Sequence, residues 1–168
     1  MNAPADATTV RFARAQDCEA IHAMLVALAV YERAPDAVHV TPEALRRDGF
    51  GPVPLFECIV AERDGRAVGF ALWTSNYSTW EGRAGFFLED IFVYEDARKY
   101  GVGRALMARM ASIARDRGLG RIDLNVLTWN PARRFYESLG IAHIDDWAPY
   151  RLRGEGIERL AALDTGAR

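Results

Sequence analysis

Hydrophobic and polar residues follow two different periods near the start of the chain. They alternate over residues 9–12, which predicts a β-strand. From about Asp17 the apolar side chains recur at helical spacing, and Pro35 limits how far this helix extends. The apolar face of the helix consists of Ile21, Met24, Leu25 and Leu28. Residues 1–8 are small, polar and interrupted by proline, so we expect a disordered tail there.

A second, short helix is indicated by a capping pattern. Thr41 can accept a hydrogen bond from an unpaired amide as the N-cap residue, and Pro42 suits the first helical position because its missing N–H is not needed there. We expect Gly49 to end this helix.

The middle of the chain predicts three strands. Residues 56–62 and 67–73 are apolar runs, and the Asp64-Gly65 pair between them favours a tight antiparallel hairpin. A polar, aromatic loop is expected over residues 74–83, followed by a third strand over residues 84–93.

The last part of the chain predicts alternating helices and strands. After a glycine-containing turn, a helix is expected over residues 103–117 and a strand over residues 121–127. A short helix over residues 132–139 ends at Gly140, and residues 150–152 belong to a closing strand before a last amphipathic turn.

This order of elements predicts an α/β fold. Hairpin strands followed by a strand-helix-strand-helix-strand stretch favour a mixed sheet with helices on both faces, in three layers. We find no repeat or linker, so a single domain is expected over residues 9–168.

Composition and charge remove several functional classes. The 168 residues are 50% hydrophobic and 26% charged with a formal charge of -2, so we expect no general attraction to nucleic acid or to an anionic membrane. Neither a signal peptide nor a membrane span is recognised, and Cys18 and Cys58 suggest free thiols in the cytoplasm. The three histidines are too far apart for a short metal-ligand motif, so no metal is expected.

A glycine-rich segment between the third strand and the following helix is the strongest candidate for ligand binding. Its backbone amides and the positive end of the helix dipole suit a pyrophosphate. The segment consists of Arg98, Lys99, Tyr100, Gly101, Val102, Gly103 and Arg104. A dinucleotide fingerprint is disfavoured because Leu106 occupies the position of its third glycine, and no Gly-Lys-Ser/Thr completes a Walker loop. A plain strand-to-helix turn is the alternative.

The pattern Arg98-x-x-Gly101-x-Gly103 after a strand resembles the acetyl-CoA motif of the GCN5-related N-acetyltransferases (GNAT). Residues 78–83 look closest to the thialysine N-ε-acetyltransferase-like subgroup. Other stretches resemble the diamine acetyltransferase branch, which is spermidine/spermine N1-acetyltransferase-like: residues 31–32, 48–51, 88–90, 129–130 and 154–161. The resemblance covers about residues 10–163.

This resemblance implies the GNAT fold, with a splayed pair of parallel strands, and acetyl-CoA as the acetyl donor. The amides of Ile91 and Val93, on either side of Phe92, would hold the pantetheine arm, and residues 98–104 would hold the pyrophosphate. Asn130 would contact the cofactor near the arm. Arg133 would reach its 3′-phosphate, although a solvated arginine is the commoner role for such a residue.

The resemblance also implies catalytic roles. An alkyl ammonium has a pKa near 10, so a base must accept a proton, and Glu89 matches the base that acts through water. Asp90 would orient the amine; two solvated carboxylates are the alternative. Tyr136 matches the general acid but also lies in an apolar stripe typical of a core aromatic. Asn130 and Tyr136 are six residues apart where typical members have seven.

The amine pocket is implied on the same basis. Glu32 matches an acidic position completed across a homodimer interface, and Tyr77 and Trp80 would offer aromatic faces to an ammonium group. Ser78 stands where polyamine-preferring relatives carry an aspartate, which predicts a shorter or amino-acid-like amine.

The resulting hypothesis is a homodimeric, cytoplasmic, acetyl-CoA-dependent N-acetyltransferase that acetylates a small primary amine by direct attack in a ternary complex. Neither cysteine has a motif partner that would suggest a covalent acetyl-enzyme. A protein or peptide amine acetyltransferase is one alternative, and a non-catalytic acyl-CoA-binding module is another.

Overall fold

The computed structural model describes residues 8–166, which form two compact units divided after Asn130. The first unit contains five strands: β1 (Thr9–Phe12), β2 (Glu57–Arg63), β3 (Arg66–Ser78), β4 (Arg83–Val93) and β5 (Ile122–Leu124). Its helices are α1 (Cys18–Tyr31), α2 (Pro42–Phe50), α3 (Glu95–Arg98) and α4 (Val102–Asp116). The second unit contains α5 (Ala132–Ser138) and α6 (Glu155–Ala161).

The five strands form one mixed sheet in the order β1-β2-β3-β4-β5. The first three pairings are antiparallel, and β4 and β5 are parallel. The predicted α/β class with a mostly antiparallel sheet is confirmed.

Helices cover both faces of this sheet. On one face, α1 and α2 pack through Ile21, Met24 and Leu45 against Phe70 of β3 and Phe92 of β4. On the other face, a Cβ atom at Gly69 would lie 3.4 Å from Leu106 of α4. Neighbouring residues of a strand point to opposite faces, so Gly69 faces α4 while Phe70 faces α1 and α2.

The β2-β3 hairpin forms where the sequence predicts it. Asp64 and Gly65 have φ values of 50° and 73°, as the tight turns that match the twist of paired strands require.

The predicted start of α2 is confirmed, but its predicted end is wrong. The Ala44 amide donates a hydrogen bond to Thr41 Oγ1 at 3.2 Å, and Pro42 is the first helical residue. The helix continues through Gly49 to Phe50. Glycine at position 49 makes room for a neighbouring side chain, because a Cβ there would lie 2.4 Å from the Phe56 ring.

The prediction of a loop over residues 74–83 is wrong for residues 74–78, which belong to β3. β3 continues to Ser78 because each of residues 74–78 has a cross-strand partner in β4, from Phe87 back to Arg83. The connection is therefore a short turn, in which Gly82 has a φ of 63°.

Two further elements differ in length from the prediction. β5 spans Ile122–Leu124 rather than residues 121–127. The short helix α3 (Glu95–Arg98) was not predicted, because four residues are too few to show a helical period.

The second unit lacks the closing strand that was predicted at residues 150–152. Tyr150 is 96% exposed there. A strand needs a neighbour for its backbone hydrogen bonds, and the described residues of this unit provide none.

The expected tail falls outside the described residues except for Thr8, whose Oγ1 accepts a hydrogen bond from Arg63 at 3.0 Å. The single domain over residues 9–168 stays a prediction.

Gly69→Ala tests the close approach of α4 to the sheet. The added Cβ would lie 2.8 Å from the Phe92 carbonyl oxygen and 3.1 Å from a Val93 methyl group. We expect the free energy of unfolding to fall by about 1–3 kcal/mol, measured by urea titration. Alanine otherwise costs less backbone entropy than glycine, so an unchanged or higher stability would contradict this packing.

Candidate functional site

The candidate site lies where β4 separates from β5. The parallel pairing ends at Leu88 opposite Leu124, whereas β4 continues to Val93. Residues 90–93 therefore pair with β3 on one side and have no partner strand, among the described residues, on the other. The outward-facing amides of this stretch, where Ile91 and Val93 lie, can bind an extended ligand.

A β-bulge coincides with this separation. Trp73 of β3 pairs with Leu88 and Leu72 pairs with Asp90, so Glu89 is the extra residue without an opposite partner. Bulges bend a strand and redirect side chains, and they are frequent beside active sites.

The two neighbouring carboxylates have different environments. Glu89 is exposed, and the Thr74 hydroxyl lies 3.4 Å from its Oε1. Asp90 pairs with Leu72, which belongs to the cluster packed against α1, so Asp90 points toward that helix. The two carboxylates therefore do not share one environment.

The side chains around Asp90 form an acidic cluster. Burial raises the pKa of Asp90 to about 6, and the negative charges of Glu89 and Glu32 add to the rise. Burial also raises the pKa of Glu32, while a hydrogen bond with Asn130 opposes the rise. A cationic group is the ligand that would stabilise these negative charges.

The end of α1 connects this cluster to the loop after β5. Asn130 is buried, and its Oδ1 accepts a hydrogen bond from the Tyr31 hydroxyl at 3.5 Å. Asn130 thus interacts with both Tyr31 and Glu32. Sequence reasoning identified Asn130 and Glu32 separately but missed their contact, because a separation of 98 positions leaves no local signal.

The glycine-rich segment has the geometry of an anion-binding helix start. Gly101 is the N-cap of α4 with a φ of 72°, a backbone conformation that favours glycine, and it has open space around its Cα. The Ala105 amide donates to the Gly101 carbonyl at 3.0 Å, so the amides of the preceding helical residues have no intrahelical acceptor. Val102 is fully buried and anchors the segment. These features fit a pyrophosphate.

The basic side chains of this segment differ in their contacts. Arg98 donates from Nε to the Val93 carbonyl oxygen at 3.0 Å, and its guanidinium lies 4.9 Å from the Tyr31 ring centroid. Lys99 and Arg104 are exposed, and Tyr100 is 51% exposed. Arg98 therefore stabilises the end of β4 through this hydrogen bond, while the side chains of Lys99 and Arg104 face solvent.

A cavity of about 400 Å³ lies between α1, β4 and this segment. Aromatic and charged side chains meet in it. Its lining consists of Ala27, Val30, Tyr31, Phe92, Tyr94, Glu95 and Arg98. Because Phe92 and Asp90 point to the same face of β4, this cavity lies on the same side of the sheet as the acidic cluster.

The aromatic candidates lie elsewhere in the chain. Tyr77 is 63% exposed on β3, and Trp80 is 91% exposed in the following turn. Five residues of strand separate Tyr77 from Leu72, the partner of Asp90, which corresponds to about 16 Å. Within one chain, the structure does not bring Tyr77 to the acidic cluster.

Ser78 has a structural contact. It is buried, and its Oγ accepts a hydrogen bond from the Glu81 amide at 3.1 Å. This contact closes the turn between β3 and β4.

Two candidates belong to the second unit. Tyr136 on α5 is buried, and its ring centroid lies 5.4 Å from that of Phe135. Arg133 is half-buried on the same helix.

Within residues 8–166, no three His, Cys, Asp or Glu side chains are grouped as a metal site requires. No helix in this part of the chain is long and apolar enough to cross a membrane.

Comparison with known proteins identifies the family. The model of the acetyltransferase (GNAT) family matches residues 33–141. A thialysine N-epsilon-acetyltransferase of Bos taurus is 37% identical over 164 residues, covering 90% of this chain and 96% of that protein. The resemblance to this family and subgroup is confirmed.

Solved structures share the fold. An integron cassette protein from the mobile metagenome of V. cholerae superimposes with a TM-score of 0.77 and 25% identity, covering 92% of this chain and 97% of its own. The aminoglycoside N-acetyltransferase AAC(6')-Iy in complex with CoA has a TM-score of 0.71 and 21% identity, covering 89% and 97%. By its match to the family model and its similarity to the bovine enzyme, the chain belongs to the acetyltransferase (GNAT) family, as an N-acetyltransferase that takes its acetyl group from acetyl-CoA.

Proposed function

We propose that this enzyme acetylates the terminal primary amine of a small diamine, polyamine or lysine-like amino acid such as thialysine, by direct attack in a ternary complex. The observation that carries the proposal is the acidic cluster of Glu32, Glu89 and Asp90. Glu89 and Asp90 lie at the separation of β4 from β5, a few residues before the glycine-rich segment, and Glu32 lies at the end of α1. The similarity to the bovine thialysine acetyltransferase supports an amino-acid-like amine.

The cofactor is held by backbone groups and by a few side chains. The amides of Ile91 and Val93, flanking Phe92, bind the pantetheine arm along the free edge of β4. Residues 98–104 bind the pyrophosphate, Asn130 contacts the arm, and Arg133 binds the 3′-phosphate. When bound, acetyl-CoA supplies the acetyl thioester that the amine attacks.

Two carboxylates orient the amine and a third removes its proton. Asp90 and Glu32 attract the ammonium group, whose positive charge offsets the repulsion between them. Glu89 is exposed, as a base that acts through a water molecule must be. Deprotonation makes the amine nucleophilic, since an alkyl amine keeps its proton up to a pH near 10.

Tyr136 is the general acid. Its phenol supplies a proton to the departing thiolate, which makes the thiolate a better leaving group. Tyr136 is buried on α5.

The amine pocket is completed in a cytoplasmic homodimer. Tyr77 and Trp80 of one subunit provide aromatic faces for the ammonium group of a substrate in the other, since Tyr77 lies about 16 Å along β3 from the partner of Asp90. Ser78 carries no charge, and its hydroxyl is hydrogen-bonded within the turn. It therefore offers no negative charge to a second ammonium group, which favours a short amine over a long polyamine.

The first test is thiol release from acetyl-CoA by the purified protein. The amines are thialysine, lysine, putrescine, spermidine and a lysine-containing peptide. We expect the highest kcat/KM with thialysine or lysine, because the chain is similar to a thialysine acetyltransferase and the neutral Ser78 favours a short amine over a long polyamine. Tight binding of acetyl-CoA without thiol release for any amine would contradict the proposal and favour an acyl-CoA-binding module. Preference for the peptide would favour a protein acetyltransferase.

The role of Asp90 predicts a pH dependence. Its pKa is about 6 in the free protein, so below that pH the carboxyl is neutral and no longer attracts an ammonium group. We expect kcat/KM for the amine to fall up to about tenfold per pH unit below 6, because the amine itself stays protonated throughout this range.

Asp90→Asn is the matched control for this profile. The variant should have a lower kcat/KM at pH 8 and should lose the limb near pH 6. A limb of unchanged position in the variant would assign the titration to another group.

Tyr136→Phe tests the general acid. We expect kcat to fall by about 10² or more, while the Kd of acetyl-CoA measured by calorimetry stays within a factor of two. The substitution removes one hydroxyl and keeps the ring, so the packing against Phe135 is retained. An unchanged kcat would remove Tyr136 from the mechanism.

A further inference from the structure

Three consecutive residues at the end of α1 contact two consecutive residues in the loop after β5. The Tyr31 hydroxyl donates to Asn130 Oδ1 at 3.5 Å, and Asn130 also hydrogen-bonds Glu32. The Arg33 guanidinium lies 4.5 Å from the ring centroid of Trp129. The amine-binding candidate Glu32 is therefore flanked on both sides by contacts to the same loop.

The backbone at Arg33 is unusual for an arginine. Its φ is 62°, in the left-handed region that glycine adopts most readily. The Arg33 amide donates a hydrogen bond to the Val30 carbonyl oxygen at 3.1 Å, and the Ala34 amide donates one to the Ala29 carbonyl oxygen at 2.9 Å. This is the Schellman pattern of helix termination, in which glycine usually occupies the position of Arg33.

The turn at the end of α1 does not by itself explain why an arginine occupies position 33. Arg33 and Asp64 are the non-glycine residues with positive φ in the described part of the chain. Asp64 precedes glycine in a hairpin turn, where aspartate is favoured by the turn itself. Arginine has no such preference, so the side chain of Arg33 explains its presence through its contact with Trp129.

We propose that the contact between Arg33 and Trp129 is a latch that positions Glu32 for binding of the amine. Arg33 and Trp129 are thus positioning residues for the reaction, and this inference rests on the proposed function. Glu32 is the C-cap residue of α1, where a helix ordinarily frays. The latch holds the chain immediately after Glu32 against the loop, while Asn130 holds the Glu32 carboxylate.

The latch also acts on the loop. Residues 125–130 have no helix or strand, and Trp129 is 44% exposed. An arginine stacked on the indole keeps Trp129 in one orientation, which fixes the adjacent Asn130 between Tyr31 and Glu32. Loss of the stack should loosen the amine-binding side while leaving the glycine-rich segment unchanged.

Arg33→Gly separates positioning from stability. Glycine fits the backbone better, so the Tm should be equal to or higher than that of the wild type. We nevertheless expect the KM of the amine to rise about 5- to 10-fold, with kcat and the Kd of acetyl-CoA within a factor of two. Asp64→Gly makes the same backbone change in the hairpin and should leave all three constants unchanged.

A double-mutant cycle with Trp129→Leu tests the pair. If the two side chains act as one latch, the KM of the double variant should not exceed that of the worse single variant. Additive effects, or an unchanged KM in Arg33→Gly, would overturn the inference. Should Trp129→Leu fail to fold, the comparison of Arg33→Gly with Asp64→Gly still tests whether Arg33 affects the KM of the amine.

The wild-type assay separates this inference from the proposed function. A wild type that acetylates no amine would overturn both, because no amine site would then exist to be positioned. An active wild type with an unaffected Arg33→Gly variant would overturn the latch alone.

Discussion

The backbone hydrogen bonds of β4 are the constraint on which the rest of the site depends. β4 is eleven residues long, yet its parallel partner β5 covers only the three residues from Phe86 to Leu88. A strand that continues past its neighbour presents donors and acceptors that need another partner. The bulge at Glu89 occurs at this point, and the glycine-rich segment follows soon after. One unpaired strand edge thus places the amides proposed to bind the cofactor beside the carboxylates proposed to bind the amine.

The acidic cluster carries an electrostatic cost that the fold does not relieve. Raising the pKa of Asp90 from 3.8 to about 6 corresponds to a penalty on the order of 3 kcal/mol for the ionised carboxylate. The penalty is absent well below the unfolded-state pKa of 3.8, where the carboxyl is protonated in both states, and it reaches its full size above the folded-state pKa of about 6. A bound ammonium group would offset it, so stability is reduced here to favour a cation.

Helix α1 joins the core to the site. Its apolar face, with Ile21 and Met24, packs in the cluster against the sheet, which fixes the position of the helix. Its last turn then presents Tyr31 between Arg98 of the glycine-rich segment and Asn130 of the loop after β5. Because the same helix reaches both regions, it connects the glycine-rich segment with the acidic cluster.

Local signals in the sequence determined the helices α1, α2 and α4, the Asp64-Gly65 hairpin, the mixed sheet and the glycine-rich helix start. Each depends on neighbouring residues: a period, a cap or a turn. The end of α2 beyond Gly49, the length of β3 to Ser78 and the missing strand at residues 150–152 were mispredicted, because each depends on packing or pairing with another segment, which the local residue pattern does not show. The motif likewise identified Glu89 and Asp90, while only the bulge and the packing of α1 decided which of them is buried. The contact between Tyr31 and Asn130 spans 99 positions, and no local pattern encodes it. Short-range chemistry can be read from the sequence, whereas burial, and with it the raised pKa of Asp90, exists only once the chain has folded.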